Sequence, residues 1–302
     1  YYIAPLYLLA MPNLIKESEL VINADGSVYH LHLHPDDLGE LIVLVGDPDR
    51  VPQVSAHFDT IDTKKQKREF ITHTGMVGKK RVSVISTGIG TDNIDIVLNE
   101  LDILVNVELE TRQIKKKLTS LPIIRIGTSG SLQPDIKVDD ILLSTHGLGL
   151  DSLMHFYINT HSVSESDTIL KELQSQQNLG ELRPYLYKSP GNLIDYFESS
   201  IKRGITATCC GFYGPQGRII RGQAKYANLI ERLHKFESGP YRITNFEMET
   251  AAIYGMASLL GHRALSVNAI LANRIEHHFS SNGSATIERA IKMVLDKVEQ
   301  IS

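Results

Sequence analysis

Short apolar runs that end in glycine-containing turns recur along this chain, and they constrain its fold more than any other feature. Runs of this kind, continuous or alternating, are typical of buried β-strands. Each of three runs is followed at once by such a turn: Leu41–Val45 by Gly46-Asp47-Pro48, Arg81–Ser86 by Thr87-Gly88-Ile89-Gly90, and Ile123–Ile126 by Gly127-Thr128-Ser129-Gly130.

Segments with helical spacing of apolar residues lie between strands along the whole chain. The predicted helices are Val51–Phe58, Asn93–Leu104, Leu193–Lys202, Glu249–Leu260 and Thr286–Ile301. Three further predicted strands are Ile141–Ser144, Gly204–Cys209 and Arg263–Ala272. Strands that alternate with helices in this way predict an α/β fold.

The chain has 302 residues, of which 42% are hydrophobic, so it can bury a sizeable core. We expect an N-terminal extension over residues 1–27 and a single domain over residues 28–302. Met11 is a candidate natural start, so the first ten residues are left out of the fold argument. Two charged stretches, Glu108–Ser120 and Thr160–Gly180, are expected to be surface excursions, with plain connecting helices as the alternative.

Charge and cysteine content exclude several classes of protein. The net charge of −4 argues against nucleic acid or an anionic membrane as a bulk partner. The two cysteines, Cys209 and Cys210, are adjacent, and vicinal cysteines rarely form a disulfide. We therefore expect a buried strand pair in a reducing compartment, the cytoplasm. Tyr1–Ala10 is apolar but has no basic residue before it, which argues against a signal peptide.

The glycine-containing turns also predict a site for a small anion. Ligands of α/β sheets gather at the carboxyl ends of the strands. Glycine lets the backbone approach an oxyanion, and Arg50 and Arg125 lie beside two of the turns. Each turn taken singly could also be an ordinary one. None carries a Walker loop or a complete G-x-G-x-x-G, which argues against nucleotide hydrolysis and dinucleotide redox chemistry.

Six motifs taken in order are more specific than any one turn. They are VGDPDRV (45–51), KREF (67–70), STGIG (86–90), RIGTSG (125–130), FYGPQGR (212–218) and NFEMETA (245–251). Together they resemble the purine nucleoside and uridine phosphorylase superfamily, from about Val28 to the C-terminus. FYGPQGR is the sharpest, because it resembles the uracil-reading segment of uridine phosphorylases.

The resemblance implies a nucleoside phosphorylase-type fold, with three αβα layers and a mixed, partly barrel-like central sheet. It implies an enzyme, a pentosyltransferase, that cleaves uridine with inorganic phosphate, with deoxyuridine as a second substrate left open. Phosphate is then a co-substrate, and no organic cofactor is implied. The implied assembly is a homodimer with shared active sites, usually built into a hexamer.

The resemblance also assigns roles to residues. Phosphate would be held by Gly46, Arg50, Arg125 and Thr128, and by Arg68 of a neighbouring subunit. The ribose would meet Glu247, Met248 and Glu249, and His30 of the neighbouring subunit. The base would meet Phe212, Gln216 and Arg218. The catalytic residues would be Arg125, Arg218 and Glu249. A monovalent cation is a weaker implication at Glu69, Ile89 and Asn93, because Asn93 replaces a serine.

These residue types suit the reaction. Arg218 could stabilise the negative charge that develops on a departing uracil. Gln216 can both donate and accept, so it can read a carbonyl beside an N–H. Glu249 could accept two hydroxyls and orient the ribose. Purine-cleaving relatives carry an aspartate where this chain has Ala272-Asn273, which favours a pyrimidine.

Several alternatives stay open at this point. His30, His32 and His34 would share one face of a strand, a spacing that could hold a metal, although a polar strand face is the ordinary explanation. Glu247 and Glu249 could be an acid–base pair or charges at a helix N-terminus. His277-His278 is expected in a solvated loop. A purine nucleoside phosphorylase, a nucleoside hydrolase and a catalytically silent nucleoside-binding protein remain rival functions.

Overall fold

The computed structural model of the chain describes residues 14–158 and 165–302. It contains fourteen strands in these residues: β1 Leu41–Val45, β2 Thr60–Lys67, β3 Phe70–Val77, β4 Lys80–Ser86, β5 Val107–Glu108, β6 Gln113–Ile114, β7 Pro122–Ser131, β8 Ile141–Gly149, β9 Tyr185–Lys188, β10 Lys202–Thr208, β11 Glu237–Ser238, β12 Tyr241–Glu247, β13 Arg263–Asn273 and β14 His278–Phe279. The α-helices of the same residues are α1 Arg50–Ser55, α2 Thr91–Asn106, α3 Glu165–Gln176, α4 Leu229–His234, α5 Thr250–Leu260 and α6 Gly283–Leu295.

Twelve strands form one mixed sheet. Its order is β11-β12-β10-β8-β13-β7-β1-β4-β3-β2, with β14 paired to β13 and β9 paired to β8. The central strands β13, β7, β1 and β4 are parallel, so their carboxyl ends meet at one edge. That edge is where the glycine-containing turns after β1 and β4 lie.

One half of the sheet closes into a barrel. β12 turns back to pair with β7 through Asn245↔Ser131 and Phe246↔Gly130. This antiparallel seam completes a ring of five strands, namely β7, β13, β8, β10 and β12. The predicted partly barrel-like central sheet is confirmed.

Helices cover both faces of the open half. Successive residues of β1 point to opposite faces, as in any strand. Ile42 and Leu44 pack in a cluster with α2 and α5, whereas Leu41 and Val43 pack in a cluster with α1 and α6. All five residues of β1 are fully buried, which explains why its sequence is apolar throughout. The three αβα layers are therefore confirmed.

A close approach positions α5 on the barrel. A Cβ added at Gly147 of β8 would lie 2.6 Å from the Ala251 Cα, so only glycine lets the first turn of α5 come this near. This contact fixes the N-terminus of α5, and with it Glu249, the N-cap residue, against the end of β12.

The prediction of a turn at Gly127–Gly130 is wrong. These residues continue β7, because they pair with β13 on one side and Gly130 pairs with β12 on the other. Glycine has a weak strand propensity of its own, and pairing to neighbours on both sides outweighs it. The other predicted strands are confirmed, with β8 five residues longer than expected.

One further expectation needs correction. Leu193–Lys202 is not an α-helix, because only Leu193–Tyr196 forms a 3-10 turn before β10 begins. The stretch Glu108–Ser120 is a mostly exposed excursion, as expected, and it contains part of the short hairpin of β5 and β6 instead of a connecting helix. The stretch Thr160–Gly180 contains α3, which agrees with the alternative of a plain connecting helix, and its residues 160–164 lie outside the described part of the chain.

No helix in the described residues is both long and apolar enough to cross a bilayer. The boundary between an extension over residues 1–27 and a domain over residues 28–302 stays a prediction. Ile22 bridges to Val28 across that boundary, and the first ten residues are outside the described part of the chain.

Candidate active site

A cavity of about 700 Å³ opens at the edge where the parallel strands end. Thirteen of the fifteen residues to which the sequence assigned a role line it: Gly46, Arg50, Glu69, Ile89, Asn93, Arg125, Thr128, Phe212, Gln216, Arg218, Glu247, Met248 and Glu249. Arg68 and His30 are the two that do not. The structure thus brings the anion-binding turns and the FYGPQGR segment to one place.

Two buried arginines form the anion side of the cavity. Arg50 begins α1 directly after the turn at Gly46, and its Nη1 donates to the Ile126 carbonyl at 3.4 Å. Burial lowers the pKa of Arg50, and the nearby positive charge of Arg125 lowers it further. Two cations held together out of water attract an anion, because the anion relieves both the repulsion and the burial penalty.

Glu249 and Glu247 hold the Arg125 guanidinium. Arg125 Nη2 donates to the Glu249 Oε2 at 2.6 Å and lies 2.9 Å from the Glu247 Oε2. Burial opposes the charge on Arg125, but the two carboxylates outweigh it, so the pKa of this guanidinium is raised. Burial likewise raises the pKa of the Glu249 carboxyl, with Glu247 adding to the rise and Arg125 opposing it.

The two glutamates have different partners. Glu247 accepts the backbone N–H groups of Glu249 and Thr250, at 2.9 and 3.0 Å, and the Thr208 hydroxyl at 2.7 Å. It therefore caps α5, as the helix-terminus alternative expected. Among the described residues, Glu249 accepts a single backbone N–H, that of Gly90, at 2.8 Å. Of the pair, Glu249 is the carboxylate better placed to turn to a ligand.

Gly127 provides the space for the Arg125 side chain. The two residues are two apart on β7, so they face the same side of the strand. A Cβ added at Gly127 would lie 1.8 Å from Arg125 Nη1. Gly127 is thus required by the packing of Arg125. It is not required by the backbone conformation, which is that of an ordinary strand.

The third side of the cavity comes from the segment between β10 and α4. Arg218 Nη1 donates to the Gln216 Oε1 and to the Phe212 carbonyl, both at 2.7 Å. Its guanidinium lies 3.7 Å from the Phe212 ring centroid, a cation–π contact. Gln216 is almost fully buried. Burial and the nearby Arg274 lower the pKa of Arg218 to about 10.

The sequence interpretation missed Ser129, which lines the cavity, and Arg274, which contacts two lining residues. Arg274 follows β13 directly, donates to the Gln216 carbonyl at 3.1 Å and lies over the Phe246 ring. Burial lowers its pKa. Ser129 lines the cavity from β7. An arginine at a strand end was visible in the sequence, but Ser129 was assigned to a turn and had no such signal.

Arg68 and His30 lie outside the cavity of their own chain. Arg68 is exposed in the turn between β2 and β3, with a φ of 55°. His30 Nδ1 lies 2.7 Å from the buried Glu100 carboxylate, which also accepts two backbone N–H groups of this segment. Both residues were assigned to a neighbouring subunit's site, and that assignment stays a prediction.

The histidine and cysteine interpretations need correction. His30, His32 and His34 do not share a strand, because His32 has a φ of 56° and pairs with Asp25. No group of three metal-ligand side chains occurs in residues 14–158 and 165–302. Cys209 is buried, which raises its pKa, but Cys210 follows the strand and is exposed. His277 and His278 are exposed as expected, although His278 belongs to the short β14.

Comparisons with known proteins agree with this geometry. Residues 40–300 match the family model described as the Phosphorylase superfamily. The chain is 30% identical to a uridine phosphorylase of Thermococcus kodakarensis over 86% of this chain and 82% of that protein. It is 26% identical to a uridine phosphorylase of Escherichia coli, over 91% and 98% of the two chains.

A solved structure matches over nearly the whole chain. It is a nucleoside phosphorylase from Trypanosoma brucei that shows uridine phosphorylase activity, with a TM-score of 0.85 and 29% identity, covering 93% of this chain and 99% of that one. The resemblance carried by the six motifs is confirmed, and the chain belongs to the Phosphorylase superfamily.

Proposed function

We propose that this chain cleaves uridine with inorganic phosphate, giving uracil and ribose 1-phosphate. The observation that carries the proposal is that one cavity joins Arg50 and Arg125 to Gln216 and Arg218. An anion site and a site with both donors and acceptors for a flat ring therefore face one another. The uridine phosphorylases among the relatives above support the same substrate.

The geometry suits the chemistry. Phosphate held by Arg50 and Arg125 would attack the anomeric carbon, and Glu249 would accept the ribose hydroxyls between them. In the present structure Glu249 binds Arg125 directly. We infer that phosphate takes over part of the Arg125 guanidinium and frees a Glu249 oxygen for the sugar. Arg218 would then stabilise the uracil as it leaves with negative charge.

The cavity also favours a pyrimidine over a purine. Where purine-cleaving relatives carry an aspartate, this chain has Ala272-Asn273 and no carboxylate. The Asn273 amide donates to the carbonyls of Gln133 and Ile136, at 3.0 and 2.9 Å, and so holds loops together. Its neighbour Ala272 lines the cavity and has no proton to give. This site therefore lacks an acid for a purine ring at that position.

The test is a nucleoside screen with and without phosphate, followed by Arg218→Ala. We expect uridine to be cleaved only with phosphate, and the variant to lose about 10²–10³ in kcat/KM. Arg221, an exposed arginine three residues away, supplies the control Arg221→Ala, which should leave kinetics unchanged.

Other outcomes point to the rival functions. Cleavage without phosphate would indicate a nucleoside hydrolase, and faster cleavage of inosine would indicate a purine enzyme. No cleavage of any nucleoside would indicate a silent nucleoside-binding protein. Unchanged kinetics of the Arg218 variant would remove the assignment of the base site. Deoxyuridine and thymidine belong in the same screen.

We further propose a homodimer that shares its active sites, built into a hexamer in the cytoplasm. Arg68 supports this assembly, because it is an exposed arginine beside Glu69, which lines the cavity mouth. Ile89, also at the mouth, is 67% exposed and apolar, as a surface covered by a second subunit would be. The two free cysteines fit a reducing compartment.

A further inference from the structure

The interior of the barrel holds a chain of polar side chains where an apolar filling is the usual choice. Each of the five barrel strands supplies at least one member: Arg125 and Ser129 from β7, Asn268 from β13, Ser144 from β8, Thr206 from β10 and Asn245 from β12. All six are buried. We call these six residues the barrel chain.

The members of the barrel chain form a continuous path of hydrogen bonds. Arg125 Nη1 donates to the Asn268 Oδ1 at 3.4 Å, and Asn268 Nδ2 donates to the Ser144 Oγ at 2.9 Å. The Ser144 and Thr206 hydroxyl oxygens are 2.6 Å apart. Thr206 Oγ1 donates to the Asn245 Oδ1 at 2.9 Å. Asn245 Nδ2 donates to the Ser129 Oγ at 2.9 Å.

The path has one direction. Thr206 has a single hydroxyl proton, which it gives to Asn245, so the proton between Thr206 and Ser144 comes from Ser144. Every bond therefore points from Arg125 towards Ser129. Ser129 accepts the last one and keeps its own proton, which has no hydrogen-bond acceptor in residues 14–158 and 165–302. Arg125 and Ser129 both line the cavity, so the path begins and ends at the proposed active site.

The geometry points to Asn268, Ser144, Thr206 and Asn245 as positioning residues, which act on the ligand through Arg125 and Ser129. None of the four lines the cavity. They fix the Arg125 guanidinium from behind and aim the Ser129 proton at a bound ligand. The inference rests on the proposed function only for the identity of that ligand.

The energetic cost of burying polar groups supports a role for the barrel chain beyond filling the barrel. A buried polar group is costly unless its partners are complete, whereas apolar side chains would fill the same space without that demand. A network that is fully satisfied and anchored on a cation restricts each member to one orientation. Such restriction is what a site needs to hold a donor in place before the ligand arrives.

The test removes one hydroxyl from the middle of the path. Thr206→Val breaks the link between Ser144 and Asn245 without touching the cavity. The matched control is Thr74→Val, since Thr74 is equally buried and its hydroxyl lies 2.6 Å from that of Ser83, on strands outside the barrel. Both variants should lower the melting temperature to a similar extent, because each leaves a buried hydroxyl without its partner.

The two variants should differ in their function. We expect Thr206→Val to weaken the binding of inorganic phosphate, measured by calorimetry, and to lower kcat/KM for uridine, each by about tenfold or more. Thr74→Val should leave both values unchanged. Thr206→Ser, which restores the hydroxyl, should recover both.

Equal phosphate affinity and kinetics in Thr206→Val and Thr74→Val would overturn the inference. So would a Thr206→Ser variant that stays as impaired as Thr206→Val. Phosphate affinity can be measured even if the wild-type chain does not cleave uridine. In that case the proposed function fails, while the comparison of phosphate affinities still decides on the barrel chain.

Discussion

Arg125 occupies the space that a side chain at residue 127 would need. A guanidinium is the end of a flexible side chain, so an added methyl group would displace it and leave the backbone in place. The Arg125 hydrogen bonds to Glu249 and the barrel chain would then be lost. A single methyl group at residue 127 would thus disturb the geometry of the site while leaving the stability of the fold nearly unchanged.

We accordingly expect Gly127→Ala to lower kcat/KM for uridine by about 10²-fold, because the guanidinium proposed to bind phosphate is misplaced. The free energy of unfolding, measured in urea, should fall by only about 1 kcal/mol or less. Gly222→Ala is the control, since a Cβ there meets nothing within 4 Å. Wild-type kinetics in Gly127→Ala would show that Arg125 does not need its present position.

Sequence reasoning worked well for residues whose chemistry is visible in their type. The arginines, glutamates and Gln216 were found because charged and amide groups at strand ends indicate a binding site. Ser129 and the four positioning residues were missed. Ser129 was assigned to a turn, and Ser144, Thr206 and Asn268 lie in predicted strands whose sequence does not show that the closed barrel brings them together.

Among the elements, β8 contains a buried histidine, His146, whose protonation affects the stability of the fold. His146 is almost fully buried, and its Nε2 has no hydrogen-bond partner in the described residues. Burial lowers the pKa of His146 to about 4, against 6.5 for the free side chain, although Glu165 opposes the change and Lys188 adds to it. Folding therefore favours the neutral imidazole.

The sign of the pH effect follows from these two values. Between pH 6.5 and about 4 only the unfolded chain binds the proton, so His146 destabilises the fold as the pH falls through this range. Above pH 6.5 His146 is neutral in both states and costs the fold nothing. Below about pH 4 the free energy of unfolding has fallen by at most about 3 kcal/mol because of His146. Urea unfolding at pH 7 and pH 5 should show a smaller loss for His146→Gln than for the wild type. His155→Gln, at an exposed position of the same region, should keep the wild-type pH dependence.

Strands with an apolar run or a clear apolar alternation were predicted from the sequence, whereas several strands that mix polar and apolar residues, such as β3 and β12, were not. β1 and β4 were found to within a residue because their burial dictates their composition. β2 was missed because it lies at the sheet edge and is mostly exposed, so its sequence, TIDTKKQK, carries no apolar alternation. Pairing with β3, which the sequence does not show locally, makes it a strand.

At the scale of the whole molecule, the proposed shared site predicts that two inactive variants can restore activity when they are paired in one dimer. Arg68→Ala damages a group donated to the neighbour, whereas Glu249→Gln damages a group in the chain's own cavity. Heterodimers of the two variants should contain one intact site and regain about half of the wild-type activity. Differently tagged, co-expressed chains purified on both tags would provide the sample.

The control pairs Glu249→Gln with Arg50→Ala. Both side chains line the cavity of their own chain, so every site in that heterodimer keeps one defect and stays inactive. Recovery in the control, or its absence in the Arg68 pairing, would contradict a site shared between subunits. A fully active monomer on size-exclusion chromatography would do so directly.

The residues that line the cavity lie partly on the sheet and the helix N-termini beside it, and partly on a segment outside the sheet. The proposed anion and sugar sides belong to the sheet, to the start of α1 and to the N-terminus of α5, where Arg50, Arg125 and Glu249 are buried. Phe212, Gln216 and Arg218 sit instead on one short segment outside the sheet. Substitutions in that segment would leave the strands of the sheet and α5 in place, whereas substitutions at Ala272 or Asn273 would alter β13 itself.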